Sequence, residues 1–405
     1  MSARMAALAL VVTACAADAG PSGPTLRLWH TFGPEETRAL NDALATLRVR
    51  VEPTVVPFGL GRSRLAHALA REARGAECPD VARVDATWLP FLAARELLLP
   101  VPATFGLDAF TAEARELGRW AGTEYGVPQA VDGLALLYDP RRVPGDSGAA
   151  WPPADLAGLT AAARALTRDG RHGLSLRSDG YWFVAWLRAS GGDIVDPVSS
   201  TLGVDRPEAE AALAGYAALA GAGGVAPPPT PAGDEAALEA ERFAAGELAI
   251  VVGGPWTVAA LSEAARRQGA DLQLAVAPYP LAPDGRPAAP RGGQLYVVPH
   301  CAAHADAAWR LIDALTDAKL QAEWSRRLGL IPTRSAALAQ ASPLARAFAQ
   351  ALRATRPLPR HPLTPLLFDD LTPALQAVMA GDATAAEALP GVARAWTRLL
   401  ERAHP

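Results

Sequence analysis

Along most of this chain, short unbroken apolar runs alternate with segments whose apolar residues recur every three to four positions. The first pattern reads as strands covered on both faces, the second as amphipathic helices. TLRLWHTF (25–32) predicts a strand, and residues 34–47, acidic in their first turn, predict a helix. RVRVEPTVVPF forms a second strand region, followed by a helix at 63–74 and a strand, PDVARVD, at 79–85. TWLPFLAARELLLPV predicts a helix returning to extended chain, and residues 125–140 hold two strand-like runs around Asp132 and Gly133. Further on, LTAAARAL is helical, RHGLSLRSDG a strand and turn, and YWFVAWLRASGGDIV an aromatic-rich helix stopped by Gly191 and Gly192. Helices follow at 207–221 and 234–246, flanking the Pro-rich loop VAPPPTPAG.

FAAGELAIVVGGPW (243–256) is the most informative run. Its apolar residues do not alternate, as expected of a strand buried on both faces. Gly253 and Gly254 permit a sharp turn or a close approach, and Pro255 ends the ladder. Trp256 then stands at the carboxyl edge of a sheet, where open α/β folds bind ligands. LQLAVAPYPLAPDGRP and GGQLYVVPH predict two more strands. Helices at 302–315 and 320–328 and a helical last fifty residues, broken at RPLPRHP (356–362), complete the chain. Strands alternating with helices predict an α/β fold of mostly parallel sheets flanked by helices. At 405 residues there are too many such units for one sheet, so two lobes are expected.

Charge changes this picture little. The net charge of −4 comes without any Lys/Arg stripe, so nothing marks a nucleic-acid partner. The N-terminus adds more. Residues 1–4 are positive, 5–12 apolar but too short to span a bilayer, and Val12-Thr13-Ala14-Cys15 supplies small residues before a cysteine. This predicts an export signal and tether over 1–24, with Cys15 as a lipidation site; ordinary secretory cleavage is the alternative. An exported chain meets oxidising conditions, so the remaining cysteines, Cys78 and Cys301, invite a disulfide if the fold brings them together.

Enzyme signatures are missing: there is no phosphate-cradling G-x-x-x-x-G-K-[ST], no H-E-x-x-H and no G-x-S-x-G. His300 and His304 have a spacing that could suit a metal, but no obvious carboxylate ligands accompany them, and no cofactor is expected. What stands out is aromatic: Trp29, Trp88, Tyr181, Trp182, Trp256 and Phe368 fall at element edges. Flat rings with a few carboxylates and amides suit a sugar, whose C–H face packs on an aromatic and whose hydroxyls need fixed partners.

LRLWHTFGPEE, PDVARVDATWLPFLAARELLLPV, YGVPQAVDGLALLYDPRRV, FAAGELAIVVGGPW and AAWRLIDALTDAKLQAEWSRRLGLIPTRSAA together resemble the extracellular solute-binding proteins of ABC importers. The similarity is to the carbohydrate-binding, maltodextrin-binding type (family 1) and spans nearly the whole mature chain. It implies a two-lobe, periplasmic-binding-protein-like (type II) fold with chain crossings at a hinge. Lobe one would comprise 25–131 and 290–355, lobe two 132–289 and 356–405. It further implies a Cys78–Cys301 disulfide away from the cleft. Positions matching ligand contacts are His30, Thr31, Glu35, Asp85, Trp88 and Asp132 on one side. Tyr181, Trp182, Trp256 and Phe368 match on the other, with Gly292, Gly293 and Gln294 opening the return strand. The first loop departs from maltodextrin binders, offering His, Thr and Glu35/Glu36. The implied function is a monomeric, lipid-anchored receptor that closes on a di- or oligosaccharide and presents it to permease subunits. A non-sugar solute (polyamine, anion or metal) and an exported glycoside hydrolase are the competing readings.

Overall fold

The computed structural model describes residues 23–403, apart from 48, 71–77, 144–150, 196–200, 222 and 231–234. The export signal and Cys15 therefore lie outside the described residues. Twelve strands are present among them: β1 (Leu26–His30), β2 (Val51–Val55), β3 (Val81–Asp85), β4 (Arg119–Trp120), β5 (Thr123–Glu124) and β6 (Val127–Gly133). The rest are β7 (Ala135–Tyr138), β8 (His172–Leu174), β9 (Leu248–Gly253), β10 (Ala275–Pro278), β11 (Ala289–Val297) and β12 (Thr355–Pro357). One sheet has the order β12-β11-β3-β1-β2, with β6 also paired to β11; a second has the order β10-β7-β9-β8. These are the sheets of two α/β lobes.

The sheets are mixed rather than mostly parallel. β1 runs parallel to β2 and β3, and β8 to β9, but β11 is antiparallel to β3 and β6, and β7 to β9 and β10. The antiparallel strands are those that carry the chain between lobes. They enter a sheet from the opposite lobe and need no helical crossover within it, so the parallel rule does not bind them. Leu134 alone separates β6 from β7, and β12 is followed directly by Leu358, which packs in the second lobe's core.

β9 is buried along its whole length. Ile250 and Val252 pack in a core with Leu159, Phe183 and Leu187, while Val251, on the opposite face, packs in one with Phe243, Val258 and Leu261. The absence of alternation in its sequence is the mark of that double covering. The helix Pro343–Ala351, expected in lobe one, packs through Phe348 and Ala351 beside Leu137 and Val251 of the second sheet. It covers a sheet face that would otherwise be open, and β12 then returns to the first sheet.

Two features tie strands and lobes together. Cys78 and Cys301 form a disulfide, with Cα atoms 6.2 Å apart. Val297 pairs with Ala82, and Cys301 lies four residues after the one while Cys78 lies four residues before the other, so the bond continues the antiparallel β3–β11 register. At the third crossing Arg188, buried on the helix Gly180–Ala189, donates from Nε to Asp193 Oδ1 at 3.0 Å. Its Nη1 and Nη2 reach the carbonyls of Arg356 and Pro357 on β12, and Arg356 Nη2 lies 2.9 Å from Asp193 Oδ2.

Candidate functional site

The carboxyl ends of β1, β3 and β9 and the crossing strands β6 and β11 converge where the lobes meet. Gln294 pairs in register with Asp85 on one side and with Ala130 on the other, and Gly292 pairs with Asp132. That register brings two acids from separate strands to one amide. Gln294 Nε2 donates to Asp85 Oδ2 at 3.0 Å and to Asp132 Oδ2 at 3.4 Å. Asp85 Oδ1 also accepts from the Thr87 backbone N–H at 2.8 Å and from its hydroxyl. Burial raises the Asp85 carboxyl above its ordinary range, against the opposing pull of those Thr87 bonds. Asp132 is pushed up to about 7, by burial first and by the Asp85 charge second.

Glycine at 292 has a spatial reason: a Cβ there would stand 3.0 Å from Asp132 Oδ1 and 3.8 Å from Tyr181 Oη. Tyr181 therefore reaches the carboxylates from lobe two, and its hydroxyl lies 3.5 Å from the Pro290 carbonyl. Burial, followed by the charges of Asp132 and Asp85, keeps that phenol protonated. Gly293 is explained instead by sheet packing, since a Cβ would collide with the Ala130 carbonyl at 2.5 Å.

Beyond Tyr181 runs an aromatic wall. Tyr181 and Trp182 rings are 5.7 Å apart and Trp182 and Trp256 rings 6.2 Å apart, both edge-to-face. The Trp182 indole N–H donates to Val252 O at 2.7 Å, and Arg177 lies over its ring. Trp182 is thus a buttress, and half-buried Trp256 is the ring at the end of β9. The two glycines before it make this possible. A Cβ on Gly254 would fall inside the Trp256 ring at 2.1 Å, and one on Gly253 would strike Thr257 Oγ1 at 2.6 Å. Phe368 packs on the start of the helix Gly180–Ala189, where a Cβ on Gly180 would lie 2.9 Å from its ring.

Trp88 differs from the expectation of an aromatic in the cleft. It is buried in the lobe-one core, against Phe58 at 5.2 Å and under Gly61, whose missing Cβ makes room for the ring. Glu35 turns to Arg38, whereas Glu36 accepts from the Gly33 N–H at 2.9 Å and lies 4.0 Å from Arg83. Thr31 Oγ1 accepts from Arg83 Nη1 at 2.9 Å. His30 is buried with neither ring nitrogen hydrogen-bonded, beside Phe32. Burial and then the Arg83 charge lower it to about 4, so it is neutral.

Arg83 escaped the sequence reading. It donates to Gln129 and Thr31, lies near Glu36 and stacks 4.0 Å from the Phe32 ring centre. A charged residue in the middle of the buried strand VARVD was the available signal. At the mouth, Arg62 of lobe one pairs with Asp369 of lobe two, and Leu366 packs against the Trp88 cluster. The lobes therefore touch there.

The chain matches the family described as bacterial extracellular solute-binding protein over residues 51–349. It belongs to that family. Among solved structures this solute-binding protein is similar to the GacH receptor of Streptomyces glaucescens, at 26% identity and a TM-score of 0.79, over 93% of this chain and 98% of that one. That receptor was crystallised without ligand and with acarbose. A solute-binding protein of Thermotoga lettingae, bound with α-D-tagatose, is 23% identical, with a TM-score of 0.79 over 93% and 100% of the two chains. The maltotriose-binding protein of Thermus thermophilus is 20% identical, with a TM-score of 0.74 over 91% and 98%. No match was found among curated protein sequences.

Proposed function

We propose that this solute-binding protein is the sugar receptor of an ABC importer, closing its lobes on a di- or oligosaccharide without altering it. The observation that carries the reading is the meeting of two unlike surfaces. The Tyr181–Trp182–Trp256 wall comes from lobe two, and the Asp85–Asp132–Gln294 acceptors come from lobe one and the crossing strands. One supplies ring faces and the other fixed polar partners, and both act on a ligand only when the lobes are together. The sugar-bound structures to which the fold is similar support it. The closed shape is what the permease would recognise, and lipid on Cys15 would hold the receptor at the membrane. Replacing Cys15 by Ala should then release the protein from the membrane fraction.

A thermal-shift panel of mono-, di- and oligosaccharides tests the reading, because a ligand stabilises only the state that binds it. At least one saccharide should raise the melting temperature, and Trp256→Ala should abolish the rise. A rise of unchanged size removes Trp256 from the site. Following the same mixtures for new reducing ends tests the hydrolase reading: their appearance would make the protein an enzyme.

A further inference from the structure

From the charges buried at the cleft we infer that the sugar is an amino sugar, its ammonium received between Asp85 and Asp132. The inference rests on the sugar-receptor reading and narrows it. Three acids, Asp85, Asp132 and Glu36, converge at this corner. Among the described residues the cation facing them is Arg83, and its donors are directed to Gln129, Thr31 and Glu36. Among the described residues neither aspartate has an ion-pair partner. The donors they do meet are the Gln294 amide and Thr87; the Tyr181 hydroxyl points to Pro290 O, and His30 is neutral. None of these carries positive charge.

Gln294, itself more than nine-tenths buried, has an Oε1 with no hydrogen-bond partner. An acceptor left bare beside two unpaired carboxylates asks for a ligand group that donates several hydrogen bonds. Burying net negative charge is costly unless a proton or a cation joins it, and a ligand cation can take the place of the proton that burial holds on the pair. A hydroxyl meets the first demand; an ammonium meets both, at the strength of charge-assisted bonds. The neighbouring aromatic wall suits the ring that would carry the amine.

Titration calorimetry at pH 7 with four probes decides the matter: the β-1,4 disaccharide of glucosamine, its di-N-acetylated counterpart, maltose and spermidine. The amine-bearing disaccharide should bind at least tenfold more tightly than the acetylated one. Asp132→Asn, its fold verified by an unchanged urea midpoint or a higher one, should lose at least tenfold in affinity for it. Equal or tighter binding of the acetylated sugar or maltose, or an indifferent Asp132→Asn, overturns the amino-sugar assignment and leaves the sugar receptor standing. Binding of spermidine with no saccharide bound overturns both.

Discussion

Two clusters of charge lie beside the strand β11 in this molecule, and they are composed in opposite ways. At the third crossing, Arg188 and Arg356 both pair with Asp193, and Arg188 also donates to two backbone carbonyls. At the cleft, Asp85 and Asp132 share one neutral amide, and among the described residues neither forms an ion pair, the nearby Arg83 donating elsewhere. Charges taken from water need partners, and the first cluster finds them within the chain. The second does not, which is how a site differs from a clamp: its missing partner arrives from solution. Raised carboxyls at Asp85 and Asp132 mark that incompleteness.

The contrast can be broken from either end. Asp193→Ala strands two arginines in the hinge and should cost about 3–5 kcal/mol of stability, read from the urea midpoint. A loss below about 1 kcal/mol would mean the clamp is not a structural unit. Reducing the disulfide, or Cys78→Ser with Cys301→Ser, removes a staple belonging to neither cluster. It should cost about 2–4 kcal/mol while leaving the pH response of the cleft intact. In the oxidised protein no thiol of this pair should titrate.

Asp132→Asn should move stability in the other direction, raising the ligand-free protein by about 1–2 kcal/mol at pH 8. The sign follows from linkage. A carboxyl raised from 3.8 to about 7 contributes stability fully present below the lower value and lost as pH climbs through the upper one. The gap between Asp132→Asn and the wild type should therefore narrow as pH falls from 8 to 6. His30 acts oppositely: lowered from 6.5 to about 4, it withdraws stability as pH drops across that span in both proteins. A gap that does not change with pH would remove Asp132 from the titrating pair. The smallest effect is expected at the mouth, where the Asp369 partner of Arg62 is largely exposed. Arg62→Ala should change stability by about 1 kcal/mol or less, with the difference vanishing in high salt.

Much of this was legible in the chain. Unbroken runs gave the strands, and β9 with its glycines and Trp256 stands where the pattern put it. The resemblance named the Cys78–Cys301 pair that the register brings together. The polar triad was foreseen as separate positions, but not that one amide would join them, because strand pairing between residues over a hundred and sixty positions apart leaves no local trace. Trp88 falls at an element edge in the sequence, which does not distinguish a ring facing the cleft from one buried beneath it. Arg188 and Arg356 were passed over because arginine is abundant here, and only burial separates a hinge clamp from solvated surface.

β11 pairs with β3, β6 and β12 at once, and Gln294 lies on it between acids from two of them. Anyone building a hybrid receptor by exchanging halves at the crossings would cut through this strand set. A junction after Val131 and another before Gly292 would send Asp132 to one parent and Asp85 with Gln294 to the other. Selectivity in such chimeras would belong to neither donor, so retargeting this scaffold requires that the three strands travel as one graft.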